Sequence, residues 1–411
     1  MESNENQIQR PRLSYTFLLV ANMTWIFGVY LYSNFIGLYM REELGATSVE
    51  VGYWSTVFLL SVLLFIGLGG FLTTRLGEKQ TMILGWLVII PAPFIYLFAP
   101  SWHFVLIGAF LEGASMLAAA PIGAYITSLS GGSRRGRAFG LSAASTALGG
   151  IPSPILGGVI ITTFGYDLVF FIAAILFILS TLLVLPLSPV PTTKEERVQS
   201  RSWDFLKNRV FIFLTLFWFT VASIYWIANM FVPLFLYDRW GLVEAQIGVL
   251  GSIMNASGTI LGPLLGWIGD RWSYTGALAF AVLGTFGFYG VLIISPSVAL
   301  LPFIYVISGF VHCFSLNNAV LSHNIPRGQL PDALATYNLV GRSLSPLSPI
   351  IGGIAFSMTP GLPLMITSTL TPIPILILFF LNRAVKQAKK VQQVPKDKPI
   401  PLSVEEIHPV I

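Results

Sequence analysis

Three ionisable residues stand inside long apolar stretches of this chain: Glu112, His312 and Arg342. Each lies about nine to twelve residues from the end of its stretch, which at about 1.5 Å per residue is near the middle of a hydrocarbon layer. A charge there costs at least about 2.5–3.5 kcal/mol, so such a group usually faces a cavity or a partner. Two readings fit. In one, Glu112 takes up and releases a proton as a solute moves, with His312 as relay and Arg342 within the same circuit. In the other, Glu112 pairs with Arg342 or stays protonated, and His312 is a packing residue.

Enzymatic chemistry finds no support. The four histidines (His103, His312, His323 and His408) are scattered, and no phosphate-cradling glycine loop or metal-ligand spacing is present. No catalytic residue, metal or cofactor is expected. The single cysteine, Cys313, precludes an internal disulfide and reads as a buried thiol.

The elements that carry these residues are membrane spans. The chain has 411 residues, 55% hydrophobic and 10% charged, against about 25% charged in soluble domains. Stretches such as 80–99 and 168–187 hold no charge at all. Spans are predicted at 13–40, 48–73, 79–99, 102–128, 137–163, 167–187, 209–237, 244–269, 275–295, 300–323, 333–358 and 362–382. The first is too long for a cleavable signal. The net charge of +5 sits in short loops without interleaved aromatics, so no nucleic-acid partner is expected. With both termini cytoplasmic, the outer loops hold only Arg41 and Arg239, and Arg342 lies within a span. The remaining 20 of the 23 lysines and arginines then face the cytoplasm, a sharp positive-inside bias. The loop at 129–136, with Arg134, Arg135 and Arg137 in or beside it, belongs to that side.

The chain repeats itself. Residues 35–79 align without a gap on 231–275, an offset of 196. Phe35, Leu38, Gly45, Gly52, Ser61, Leu68, Gly70 and Arg75 meet Phe231, Leu234, Gly241, Gly248, Ser257, Leu264, Gly266 and Arg271. SPILGG from Ser153 recurs as SPIIGG from Ser348. The expected architecture is an all-α integral membrane protein of twelve helices in two pseudo-symmetric six-helix halves: 1–187, a polar linker 188–208, 209–382, and a basic tail 383–411.

The turn after the second span reads GFLTTRLGEK, from Gly70 to Lys79, with Arg75 and Gly77 inside it. Its repeat reads GWIGDRWSYT and holds Asp270 and Arg271. The fifth span carries Gly140, Gly149, Ser153, Pro154, Gly157 and Gly158. On these residues the chain resembles the major facilitator superfamily of secondary transporters, and in the fifth span its antiporter and efflux members. The resemblance implies the twelve-helix fold, a gating lock at Gly70, Arg75, Gly77, Asp270 and Arg271, and conformational roles for Pro154, Gly157, Gly158, Pro349, Gly352 and Gly353. Thr74 stands where the family has the acid of the first lock. In the fourth span Ala109 and Glu112 stand at the positions of a family arginine and glutamine.

Asn22, Val29 and Ser33 share one helical face, and their repeats Trp218, Tyr225 and Asn229 share another. In the superfamily spans one, four, seven and ten line the central cavity. Candidate cavity residues are therefore Asn22, Trp25, Glu112, Trp218, Tyr225, Asn229, His312, Asn317 and Asn318.

The function expected is proton-coupled movement of a small organic solute by alternating access, with efflux favoured. The partners expected are that solute, protons and the lipid bilayer, and the chain is expected to act as a monomer in the plasma membrane. The alternatives are an uncoupled facilitator or importer of a sugar or organic acid, and a receptor or scaffold that moves nothing.

The orientation has a direct check. In a Cys313→Ser background, a membrane-impermeant maleimide applied to intact cells is expected to label Thr47→Cys and to spare Ser133→Cys. The reverse pattern would invert the topology.

Overall fold

The computed structural model describes residues 2–188, 203–326 and 329–392. Most of the expected linker, and the tail beyond Gln392, lie outside the described residues. Among those described there are helices and no strands. Twelve helices are long and apolar enough to cross a membrane. They are α1 (Leu13–Glu43), α2 (Ser48–Leu76), α3 (Glu78–Leu97), α4 (Trp102–Leu129), α5 (Arg137–Phe164), α6 (Tyr166–Val184), α7 (Arg209–Trp240), α8 (Glu244–Arg271), α9 (Tyr274–Ile294), α10 (Val298–Asn324), α11 (Asp332–Met358) and α12 (Leu362–Ala388). The expected twelve spans are all present.

Three boundaries differ from expectation: the first helix begins at Glu2 rather than at 13, and two others have a visible cause. The loop foreseen at 129–136 is helical: helical residues continue from Ala119 to Gly150. No proline between Pro121 and Pro152 removes a backbone donor there. The last helix runs on to Gln392 rather than ending at 382, because Ala384 is buried in the core and Val385 and Ala388 pack against it.

Local chemistry sets the starts. Thr47 accepts from the Glu50 amide and Glu50 from the Thr47 amide (3.4 and 2.7 Å), a capping box that opens α2. Asn208 accepts from the Val210 amide at 2.8 Å to begin α7. Gly77, Gly165 and Gly241 take positive φ at turns between helices.

The upper face is the one that carries Gly45, Gly165 and Gly241; the lower face carries Gly77 and the start of α1. Toward the upper face the two halves touch along α5–α8 and α2–α11. A Cβ on Gly158 would meet the Glu244 carbonyl, and one on Gly248 the Pro154 carbonyl. The repeat-related contacts set Gly353 on the Ser48 carbonyl and Gly52 on the Pro349 carbonyl. Within each half, Gly157 lies on the Leu31 carbonyl and Gly352 on that of Ile227. Only glycine lets these backbones approach so closely.

Hydrogen bonds follow the glycines. Ser252 Oγ accepts from the Ile155 amide (3.2 Å), and its repeat Thr56 donates to the Pro346 carbonyl (2.7 Å). Pro154 has no N–H for the Gly150 carbonyl, and Asn255 Nδ2 of the other half donates to it instead at 2.7 Å. At the upper rim Arg41 binds Asp238 through two bonds, of 3.0 and 2.7 Å, and Tyr166 donates to Glu244 at 2.9 Å.

Toward the lower face the halves separate. A Cβ on Gly67, Gly70, Gly140 or Gly262 would meet nothing within 4 Å. A cavity of about 600 Å³ opens there between Gly140–Gly150 of α5 and Asn255–Pro263 of α8.

Gly158→Val and Gly353→Val are each expected to destabilise the protein by about 1–3 kcal/mol, the cost of overpacking. Gly140→Val, which faces open space, is expected to leave the unfolding midpoint unchanged. Thermal unfolding of the three purified variants checks the contrast.

Candidate functional site

Among the helices interrupted in mid-span are four that line one cavity. α1 turns at 33–35, α4 passes through a 3-10 turn at Ser115–Ala118, α7 at Asn229–Phe231 and α10 at Gly309–Ser315. Two breaks have a visible cause. Pro121 withholds the donor that the Leu117 carbonyl would take, and Pro233 does so for Asn229. Irregular backbone is tolerated at membrane depth where it lines a cavity, and it does so here.

That cavity, of about 370 Å³, lies between the halves. Val29, Tyr30, Ser33, Asn34, Phe58, Ser115 and Met116 line it from the first half. Tyr225, Trp226, Asn229, Met230, Met254, Val311 and His312, each 196 residues further on, line it from the second. The sequence repeat is thus a two-fold relation between facing walls. Four lining residues have no lining counterpart: Trp25, Trp54, Ile89 and Glu112, all from the first half. Tyr30 and His312 also line the lower opening, so the chamber adjoins it.

Glu112 is 4% exposed. Its Oε1 accepts from Tyr32 Oη and Tyr96 Oη, both at 2.7 Å. Tyr96 Oη in turn accepts from Trp54 Nε1 at 3.2 Å. Tyr39 donates to the Tyr96 carbonyl at 2.6 Å, and Phe170 packs against Tyr32, Tyr39 and Tyr96. A buried carboxylate without donors would cost several kcal/mol, and each hydrogen bond to a charged group returns about 1.5–3. With Oε1 saturated by two hydroxyls, Oε2 is the oxygen left for a proton or a ligand.

The structure does not join Glu112 to Arg342. The guanidinium lies over Trp218, 5.3 Å from the ring centroid. Its Nε is buried without a partner, and no ion pair of Arg342 occurs among the described residues. Of the expected cavity residues, Trp25, Tyr225, Asn229, His312 and Glu112 line the chamber.

The others do not line it. Asn22 stands beside a neighbouring pocket with Trp25 and Trp86 and donates to Ser145 and Thr146 of α5 (3.2 and 3.0 Å). Trp218 stacks with Tyr337 of α11. Seven residues below Val29 and Tyr225 the face is the same, but it lies about 10 Å lower. There α1 packs on α5, and α7 on α11, instead of facing the chamber. Asn317 is buried, and neither it nor Asn318 lines the chamber.

Among the described residues no ion pair joins Asp270 to Arg75 or Arg271. Asp270 accepts from Tyr274 of its own half, while Arg75 lies over Phe71 and Arg271 over Trp267. The residues that sequence reasoning missed are Tyr32 and Tyr96, which hold the acid, and Trp54, Tyr30, Trp226 and the lining methionines. Tyr30 and Trp226 carried a signal, being one position beyond the stripe in both halves; Tyr96 carried none.

A chamber between two like halves, sealed at one end and open at the other, is the arrangement of a membrane transporter. The sequence profile of the Major Facilitator Superfamily matches residues 18–349, and the chain belongs to that family. An uncharacterised MFS-type transporter of Methanocaldococcus jannaschii is 23% identical over 280 residues, 66% of this chain and 72% of the relative. Among solved structures, a point mutant of the nucleoside transporter NupG superposes with a TM-score of 0.75 at 14% identity, covering 90% of this chain and 99% of that chain. A point mutant of the peptide transporter POT, in complex with sulfate, gives 0.73 at 13%, covering 92% and 95%. A bacterial homologue of the lysosomal transporter Spinster, solved inward-facing and unoccupied, gives 0.66 at 15% over the same shares. These likenesses show the fold.

Tyr96→Phe removes a donor to Glu112 and the acceptor of Trp54, so it is expected to cost about 1–3 kcal/mol more stability than Tyr32→Phe. In a Glu112→Gln background the Tyr32→Phe effect is expected to shrink, which a double-mutant cycle by thermal or denaturant unfolding measures.

Proposed function

We propose that this transporter exchanges protons for a small organic solute by alternating access, and that it works in the outward direction. The observation that carries this reading is Glu112: the one carboxylate on the chamber wall among the described residues, tied by hydroxyls through a single oxygen. A proton on Oε2 and a solute against it compete for one place. His312, which lines both the chamber and the lower opening, relays the proton. Arg342, away from the chamber, takes no part in that exchange. The efflux direction rests on the α5 pattern, whose Pro154, Gly157 and Gly158 sit where the helices meet most closely.

In this reading the lower face is cytoplasmic, together with both termini, and the membrane is the plasma membrane. The rigid bodies are 1–187 and a second body from 209, joined by 188–208; the second body runs past 382, because Ala384 is buried in its core. They rock about the α5–α8 and α2–α11 contacts, and Pro349, Gly352 and Gly353 serve α11 as their counterparts serve α5. When the lower face closes, Gly70, Gly77, Arg75, Asp270 and Arg271 come together as the opposing lock. Each chain holds a whole chamber, so the monomer is the working unit.

The test uses proteoliposomes and a solute selected by thermal-shift screening of drugs, sugars, nucleosides and organic acids. A proton gradient is expected to drive accumulation against the solute gradient. A protonophore or Glu112→Gln is expected to abolish accumulation while counterflow persists. Accumulation unaffected by the protonophore would remove proton coupling. Counterflow without any accumulation in the unmodified protein would make it a facilitator.

A further inference from the structure

The wall of the chamber carries information about its ligand. Six aromatic side chains face the space: Trp25, Tyr30, Trp54, Phe58, Tyr225 and Trp226. Trp54 and Phe58 are stacked face to face, with ring centroids 5.5 Å apart and planes 6° from parallel. Three thioethers, of Met116, Met230 and Met254, add soft apolar surface. Polar groups are few: Ser33, Asn34, Ser115, Asn229 and His312, besides Glu112. No lysine or arginine is among the described lining residues, and Glu112 is their only carboxylate.

The asymmetry sharpens this. At the repeat positions of Trp25, Trp54 and Glu112 stand Val221, Leu250 and Ser308. The acid and the two added indoles therefore lie on one wall of an otherwise two-fold chamber. The groups packed around Glu112 are the hydroxyls of Tyr32 and Tyr96, with Trp54 behind them. Tyr30, Tyr225 and His312 share the chamber, and the Arg342 guanidinium is turned onto Trp218 and is not among the lining residues.

We infer that the solute is a lipophilic organic cation: an onium ion, or a hydrophobic amine in its protonated form. The ring faces present negative quadrupole to such an ion, the thioethers adapt to its apolar groups, and Glu112 Oε2 balances its charge. An organic anion would meet the carboxylate with no cation to neutralise it. A sugar would leave most of its hydroxyls without partners, a costly burial. The inference rests on the transport reading above and names the substrate class of the same chamber.

The test compares two ions of matched shape and opposite charge, tetraphenylphosphonium and tetraphenylborate. Both are titrated into the purified full chain at one pH without a gradient, with tryptophan quenching and calorimetry as readouts. The cation is expected to bind at least about tenfold more tightly. Glu112→Gln is expected to weaken it by about tenfold or more, while Glu112→Asp, which keeps the charge, retains most of the affinity. Equal or tighter binding of the borate, or unchanged binding of the phosphonium to a folded Glu112→Gln chain, would overturn the inference. If Glu112→Gln does not fold, the two ions on the unmodified chain decide it. A chain that binds cations but never couples to protons keeps this inference and loses the exchange mechanism. The opposite result keeps coupling for another solute.

Discussion

Four glycines hold the upper ends of the two halves together, each with a carbonyl of the opposite half where a Cβ would be. Everything else in the molecule follows from how far down that contact extends. It ends at the Asn255–Gly150 bond, below which α5 and α8 diverge and the chamber opens. Small residues matter here because apolar side chains gain nothing from leaving lipid for one another; close backbone packing and hydrogen bonds must supply the attraction. Prolines cooperate. Pro154 frees the carbonyl that Asn255 binds, so one substitution both bends α5 and creates a partner for the other half.

Two-fold symmetry builds the chamber, and its violation supplies the charge. Seven lining positions recur across the repeat, and they account for most of the wall. Glu112 and its indole neighbours do not recur. The first half also holds the aromatic cluster of Tyr32, Tyr39, Tyr96 and Phe170 that keeps the carboxylate in place. A rocking mechanism needs like interfaces on both sides of the axis. A single charge needs unlike walls, and the two kinds of wall fall on different residues.

Much of this was legible beforehand, for identifiable reasons. Hydropathy marks all twelve spans because backbone groups in lipid must be bonded within a helix. The gapless repeat marks Gly52 and Gly248, because only glycine suits a backbone contact. Depth along a span singles out Glu112. The errors are equally instructive. Asn22 and Trp218 lie on the right face but one level too low, since periodicity reports rotation and not where a neighbour closes the space. Arg342 has the depth of a partner for Glu112, yet its guanidinium rests on an indole of its own half. The break in α1 at 33–35 has no proline or glycine to announce it.

By itself the sequence determined that this is a membrane protein of two like halves, which positions must be small, and that an acid lies at mid-depth. These are one-dimensional properties: apolar length, a repeat offset and distance from a span end. Tertiary structure alone decided which side chains share a space. Tyr32 and Tyr96 reach Glu112 across 80 and 16 residues, and the breaks of α1, α4, α7 and α10 line one chamber. Such contacts depend on the rotation and tilt of whole helices, and those are set by packing between helices that no local pattern encodes.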